Sequence, residues 1–425
     1  MNTYSSYKDS GVEWIGEVPG EWNVKRLDHF FTERKDKVDD VSYPPLSVTM
    51  KGIKDQLEGV AKSDDSSNRK LVLKSDFVIN SRSDRKGSSG ISFRDGSVSL
   101  INTVLEPKNI EPNYVNYLFK SYYFIEEYFR FGKGIHFDLW STNYSVMKNI
   151  KIPVLSIEEQ QQISDYLDYK TLKIDTLIEK TQQKIELLKE QRTSLINTTV
   201  TKGLNPNVEM KDSGVEWIGE IPVEWDTTQI KFICKMMRGK FSHRPRNDQR
   251  FYDGEYPFIQ TGDISSTGMY LTKFNQTLNE RGFSVSKEFP IDTVVMTIAA
   301  NIGDVSILKI RSCFPDSIIG FHPYHDMSVK YLYYILTSLK DELHKNSTVS
   351  TQMNLNVERV GSIKIPLSTV QEQQQIVDYL DKETLRIDKL VDIESKRIDL
   401  LKEYRQSLIS EVVTGKVDVR DEVLV

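Results

Sequence analysis

The sequence predicts an α+β fold in which two α/β domains are joined by two long helices, arranged as an internal pseudo-two-fold repeat. Three observations lead to this prediction. Two sequence elements occur twice along the chain, the segments between them share an order of features, and both copies of the longer element carry a heptad pattern. At 425 residues the chain is also too long for one ordinary hydrophobic core.

The repeat divides the chain. KDSGVEWIGEVPGEW at 8–22 recurs as KDSGVEWIGEIPVEW at 211–225, with 13 of 15 positions identical. A longer element begins IKIP at Ile150 and again at Ile363, with 29 of 55 aligned positions identical. The predicted parts are an N-terminal repeat element at 1–27, a first variable segment at 28–149, a central repeat region at 150–230, a second variable segment at 231–362 and a C-terminal repeat region at 363–425.

The two variable segments align only loosely, but they share an order of features. A strand, DFVIN at Asp76 or DTVVM at Asp292, precedes a loop with Gly, Ser or Asn, and helix candidates follow at 112–129 and 329–344. This order predicts two α/β domains of the same architecture with unlike surfaces. Such a pair suggests one task performed on two different targets.

The longer repeat element predicts a helix of about 30 residues, roughly 45 Å long, with the alternating four-three spacing of a coiled coil. Polar residues interrupt the seam at Thr181 and Arg192 and at Glu394 and Arg405. We expect the two copies to pair with each other; the alternative is that each stripe packs on its own domain. The predicted interface residues are Leu167, Ile174, Ile178, Ile185, Leu188 and Leu195 in the first copy and Leu380, Ile387, Val391, Ile398, Leu401 and Leu408 in the second.

The net charge of −5 would by itself argue against nucleic-acid binding. The charge is unevenly distributed, however. The first variable segment carries +1 and the second +3, whereas the repeat regions together carry −9. The stretch 231–250 alone holds seven basic residues and one acidic residue. The variable segments are therefore the predicted DNA-contacting parts.

Basic and amide side chains in Gly- and Ser-rich loops can contact phosphates and base edges. A single loop of this kind is more often a solvated turn, but such loops occur in both variable segments. The candidate DNA-binding residues are Asn68, Arg69, Arg82, Arg85, Lys86, Lys133 and His136 in the first segment and Lys240, His243, Arg244, Arg246, Gln260, Asn301, Gln352 and Asn354 in the second.

No catalytic residue, metal site or cofactor site is predicted on this chain. The sequence contains no phosphate-binding Gly-rich loop, and Tyr-Pro-Pro-Leu at 43–46 lacks the polar residue that an amino-methyltransferase motif needs. His322 and His325 have no third ligand at a convincing spacing, and Cys234 and Cys313 match no metal or redox pattern. The apolar runs are shorter than a membrane span and the N-terminus does not resemble a signal peptide, so a cytoplasmic protein is expected.

The GVEWIGE-[VI]-P-x-EW element and the IKIP…EQQQI…YLD…ID…SLI element closely resemble the two conserved regions of type I restriction-modification specificity subunits, the HsdS family. The resemblance covers essentially the whole chain. It implies two target recognition domains, each reading one half of a split double-stranded DNA site, and conserved helices that form an antiparallel coiled coil. It also implies docking of two modification subunits, which bind S-adenosylmethionine and methylate adenine, and of restriction subunits that cleave unmodified DNA.

Two other classes of protein stay open at this point. An adaptor could use the coiled coil and the variable segments to bind other proteins, and salt-sensitive DNA binding would separate that class from a DNA reader. A self-sufficient methyltransferase-endonuclease would transfer a methyl group to DNA without any partner. The family resemblance and the basic loops favour the DNA specificity subunit.

Overall fold

The computed structural model describes residues 2–56, 68–133, 140–348 and 355–422. The chain folds into two compact units. The first unit contains Met1–Gln182 and Ser395–Val425, and the second contains Gln183–Glu394. No helix in the described ranges is long and apolar enough to cross a membrane.

The elements of the first half of the chain are β1 (Tyr7–Asp9), β2 (Glu17–Pro19), β3 (Asn23–Arg26), β4 (Phe31–Glu33), β5 (Lys37–Val38), β6 (Leu46–Thr49), β7 (Gly52–Asp55), β8 (Arg69–Val72), β9 (Phe77–Asn80), β10 (Ser89–Ile91), β11 (Gly96–Val98), β12 (Asn102–Pro107), α1 (Pro112–Lys120), α2 (Tyr122–Arg130), α3 (Tyr144–Met147), β13 (Lys151–Val154) and α4 (Ile157–Lys202).

The elements of the second half are β14 (Met210–Asp212), β15 (Glu220–Pro222), β16 (Asp226–Gln229), β17 (Cys234–Arg238), β18 (Tyr252–Pro257), α5 (Thr261–Ser266), β19 (Tyr270–Leu271), β20 (Thr277–Leu278), α6 (Glu280–Ser284), β21 (Glu288–Phe289), β22 (Val294–Thr297), β23 (Val305–Leu308), β24 (Ser312–Cys313), β25 (Ile318–Pro323), α7 (Val329–Ser338), α8 (Lys340–Thr348), α9 (Val357–Gly361), β26 (Lys364–Leu367) and α10 (Val370–Val413).

The predicted central strands are present in both variable segments. In the first unit, β9 lies inside an antiparallel sheet of order β10-β9-β12-β4, and all four of its residues are buried. In the second unit, β22 lies inside a five-stranded sheet of order β17-β25-β22-β23-β19 and is equally buried. The two segments thus combine a sheet with helices, as the sequence predicts.

The helix predicted over 112–129 is two helices, α1 and α2. Ser121 separates them because its backbone is extended, with φ −65° and ψ 147°, and its Oγ accepts a hydrogen bond from the Phe124 amide at the start of α2. In the second unit α7 ends at Ser338 and α8 begins at Lys340, so the helix predicted over 329–344 is also divided.

The repeat elements form the same structures in both units. The short element forms a hairpin, β1 with β2 and β14 with β15. The strand after each hairpin pairs with the strand that precedes a long helix, β3 with β13 and β16 with β26. Each variable segment is therefore bounded in sequence by one two-stranded antiparallel ladder.

The long helices have 46 residues in α4 and 44 in α10, and both exceed the predicted length of about 30. Each begins directly after the ladder strand, where the hydroxyl of Ser156 accepts from the Glu159 amide and that of Thr369 accepts from the Glu372 amide. All twelve predicted interface residues are buried or partly buried. In the second unit, Lys184 contacts Glu394 and Arg192 contacts Asp388, so the two helix segments run in opposite directions.

Candidate nucleic-acid interface

In the first unit, the structure brings two predicted basic loops together. The loop between β9 and β10 lies against the chain around Trp140, where the Ser83 amide donates to the Trp140 carbonyl and the Thr142 amide donates to the Ser81 carbonyl, both at 2.9 Å. Ser141 forms backbone bridges with both Arg82 and Lys133. Residues that are 51 positions apart in the sequence therefore share one surface.

The basic side chains on this surface differ in their exposure and in the contacts that hold them. Arg82 and Lys133 are exposed, and the Arg85 side chain is 67% exposed, with Asp84 Oδ2 3.7 Å from its Nε. Lys86 is held more firmly, because its ammonium group lies 2.6 Å from Glu126 Oε1 and 4.5 Å from the centre of the Phe129 ring. Arg82, Arg85 and Lys133 are therefore better placed than Lys86 to contact a phosphate or a base edge.

Arg69, a candidate DNA-binding residue, is buried in the structure. It is 8% exposed at the start of β8. Its Nε donates to Ser97 Oγ at 2.8 Å and its Nη2 donates to the Ser97 carbonyl at 3.1 Å, which links β8 to β11. Burial lowers the pKa of its guanidinium, although Asp40 opposes the shift. The arrangement argues for a structural role, while the neighbouring Asn68 is partly buried.

In the second unit, the basic loop that follows β17 lies on the turn before β25. The Lys240 amide donates to the Phe314 carbonyl and the Gly239 amide donates to the Ile318 carbonyl, both at 2.9 Å. The Lys240 side chain is exposed. Arg244 donates from Nη1 to the carbonyls of Phe241 and His243 at 2.6 and 2.8 Å, so the backbone of its own loop holds one of its two terminal nitrogens.

His243 is part of a local cluster and is only 24% exposed. Its ring stacks on Phe251 at 3.9 Å between centroids, and its Nε2 lies 3.0 Å from Asp248 Oδ2. Hydrogen bonds from Arg250, followed by the one from His243, hold the pKa of Asp248 well below its usual range. These contacts give His243 a role in shaping the loop.

Gln260 and Asn301 lie at opposite ends of the short helix α5. Gln260 precedes the helix and donates from Nε2 to Gln276 Oε1 at 2.9 Å. Asn301 donates from Nδ2 to Ser265 Oγ at 2.8 Å. Gln276 was not singled out from the sequence, since a single glutamine in a polar loop carries no pattern. His136, Gln352 and Asn354 lie outside the described residues.

Within the described residues, no group of three or more His, Cys, Asp or Glu side chains is arranged to hold a metal ion. Both cysteines are free and buried. Burial raises the pKa of the Cys234 thiol to about 12 and also raises the pKa of Cys313.

Comparison with known proteins decides the family. The family model described as the type I restriction modification DNA specificity domain matches residues 19–187 and 222–403, one match for each half of the chain. The chain belongs to this family. As a DNA specificity subunit it is a recognition component and not the catalytic one, in agreement with the prediction from the sequence motifs.

One relative matches nearly the whole chain, and another matches less than half of it. The chain is 23% identical to the putative type I restriction enzyme MjaX specificity subunit of Methanocaldococcus jannaschii, over 96% of each chain. It is 24% identical to the EcoR124I/EcoR124II specificity subunit of Escherichia coli over 38% of this chain and 40% of that one.

Two solved structures share the fold. A chain from a study of complex assembly in the type I restriction-modification system superimposes with a TM-score of 0.67, at 17% identity, covering 94% of this chain and 99% of that one. The HsdS subunit from Thermoanaerobacter tengcongensis gives a TM-score of 0.52 at 16% identity, covering 94% and 98%. The fold is therefore that of HsdS subunits, with two specificity domains of mixed helix and strand content.

Proposed function

We propose that this specificity subunit recognises an asymmetric, bipartite DNA site, with one half read by each variable segment, and directs partner subunits to methylate adenine or to cleave unmodified DNA. The observation that carries the proposal is the occurrence of one framework twice with unlike loops. The first unit presents Arg82, Arg85 and Lys133 from two joined loops, whereas the second presents Lys240, Arg244 and Arg246 from a single loop.

We infer that α4 and α10 form an antiparallel coiled coil that sets the distance between the two half-sites. Arg192 contacts Asp388 in the second unit and Arg405 contacts Asp175 in the first, each with Nε 2.9 Å from Oδ1. Arg405 lies 213 residues after Arg192, and Asp388 lies 213 residues after Asp175. This separation is the offset of the long repeat. This correspondence supports a pseudo-two-fold relationship between the helix pairs.

The proposed partners are two modification subunits, with restriction subunits in the full complex. The repeat regions carry the acidic excess of the chain, and they expose large apolar side chains at equivalent positions. Leu172 and Leu385 are 67% and 55% exposed, and Leu187 and Leu400 are both 64% exposed. Apolar side chains that recur on two like helix faces favour two copies of one protein partner. S-adenosylmethionine would be bound by those partners and not by this chain.

Methylation-sensitive sequencing of the host genome, with and without this gene, tests the proposal directly. The expected result is a split adenine-methylated sequence that is lost with the gene. Replacing 28–149 by the corresponding segment of another specificity subunit should then change one half-site and leave the other half and the spacer unchanged. The proposal fails if both halves stay as they were, or if the isolated chain methylates DNA without a partner.

A further inference from the structure

Three arginines in the second unit gather around one acidic residue. The carboxylate of Asp316, in the turn before β25, contacts Arg246 through Oδ1 and Arg244 through Oδ2, the latter at 3.4 Å. Arg238 donates from Nε to the Asp316 carbonyl at 2.5 Å. The side chains of Arg244 and Arg246 are 52% and 46% exposed, so about half of each side chain stays accessible.

A carboxylate within a basic loop weakens the attraction of that loop to phosphates. In the first unit, the corresponding turn before β12 has no acidic residue; Ser81 of the basic loop bonds to the Ile101 carbonyl, and the turn exposes Leu100 and Ile101. The acid in that basic loop, Asp84, lies beside Arg85, with its Oδ2 3.7 Å from the arginine Nε. Asp316 is therefore not required by the shared framework. A role in orienting the two guanidinium groups would explain why an acidic residue that weakens the attraction to phosphates is present here.

We propose that Asp316 is a positioning residue for DNA reading. It holds Arg244 and Arg246 so that their remaining donors face two hydrogen-bond acceptors on one base edge, the pattern that guanine presents in the major groove. A planar guanidinium fixed by a carboxylate on one side offers a second pair of donors in a defined direction. This inference rests on the proposed function, because it assigns how the second variable segment reads its half-site.

The test compares two duplexes bound by the complex of this chain with its modification subunits. One duplex contains the methylated site found by sequencing, and in the other the half-site assigned to 231–362 is scrambled. In the Asp316→Asn variant, the ratio of the two affinities should fall about 10-fold or more, the scale of one lost bidentate base contact. Affinity for the scrambled duplex should stay the same or rise, because one negative charge has been removed.

Asp292→Asn is the matched control. Asp292 forms an ion pair with Lys309 in the same unit, 2.6 Å between Nζ and Oδ1, and its φ of +61° suits asparagine. This variant also removes one negative charge, so it should change both affinities alike and leave their ratio unchanged.

The proposal is wrong if Asp316 acts only through its negative charge. In that case, Asp316→Asn would strengthen binding to both duplexes equally and leave the ratio of the two affinities unchanged. A second arm repeats the substitution in an Arg244→Ala, Arg246→Ala background, where no further loss of the ratio is expected if Asp316 acts through these arginines. A further loss there would contradict the assignment. If the complex without any substitution does not distinguish the two duplexes, the proposed function itself fails.

Discussion

The Arg192 guanidinium of α4 donates to the Asp388 carboxylate of α10, with Nε and Oδ1 2.9 Å apart. Arg192 is a polar residue at a position of the heptad seam where an apolar residue is expected, and this contact explains how its charge is accommodated. The equivalent Arg405 donates to Asp175 in the other unit at the same distance. Each helix therefore supplies one arginine and one aspartate to the pairing.

The first prediction concerns this ion pair. A double-mutant cycle with Arg192→Ala and Asp388→Ala should give a coupling free energy of about 0.5 kcal/mol, because both side chains are partly exposed to water. Urea unfolding of the four proteins measures it. Exchanging the two residues, Arg192→Asp with Asp388→Arg, should restore most of the loss. A coupling near zero at low salt would show that the pair contributes nothing to helix pairing.

The heptad seam was predictable because its spacing depends only on helix geometry. The contact between Arg192 and Asp388 was not, since it depends on the direction and register of a second helix 196 residues away. The break at Ser121 was missed for a related reason. The apolar spacing continues through it, and whether a serine in such a stretch caps a new helix is decided by the packing of both segments.

The candidate interface was less predictable than the fold. Basic residues in loops could be found by composition, but their environments could not. Arg69 looked like its neighbours in sequence, yet the pairing of β8 with β11 places Ser97 beside it and buries it. Asp316 could not be predicted, because a single acidic residue forms no sequence pattern. The structure shows that Arg244 and Arg246 both contact its carboxylate.

The second prediction compares Glu159 and Glu372, which occupy equivalent positions near the starts of α4 and α10. Glu159 accepts hydrogen bonds from the buried groups Trp22 Nε1 and Tyr4 Oη, whereas Glu372 accepts one from Trp225 Nε1. Each buried donor left without a partner costs about 1–3 kcal/mol. Denaturant unfolding should therefore show a larger loss for Glu159→Ala than for Glu372→Ala.

The glutamine variants are the controls for that comparison. Glu159→Gln and Glu372→Gln keep an acceptor oxygen and should lose less than the alanine variants. Equal losses for Glu159→Ala and Glu372→Ala would contradict the role assigned to Tyr4.

The third prediction concerns thiol reactivity. Because only the thiolate is nucleophilic, the pKa of about 12 that burial gives Cys234 keeps this residue protonated at pH 8. Burial acts in the same direction on Cys313. An aromatic disulfide reagent at pH 8 should label neither cysteine in the native protein and both after unfolding in guanidinium chloride. Rapid native labelling, assigned with Cys234→Ser and Cys313→Ser, would contradict the buried placement.

The fourth prediction separates a structural arginine from candidate DNA contacts. Arg69→Ala removes the donors to Ser97 and should lower the unfolding midpoint of the first unit. Arg82→Ala with Arg85→Ala should leave the midpoint nearly unchanged, since both residues are exposed. The double variant should instead weaken DNA binding by the assembled complex and reduce its salt dependence, by about one unit of slope for each lost phosphate contact. If Arg69→Ala instead weakened DNA binding and left the unfolding midpoint unchanged, Arg69 would be a DNA contact.

The fifth prediction concerns the number of modification subunits. If equivalent faces of α4 and α10 each dock one copy, Leu172→Asp should remove one partner and Leu385→Asp the other, because a carboxylate would be buried in an apolar contact. Native mass spectrometry of the complex should then show one modification subunit for each single variant and none for the double variant. Gln182 is an exposed polar position on α4, so Gln182→Asp serves as the control and should retain two. Two bound copies in the double variant would place the docking surface elsewhere on the repeat regions.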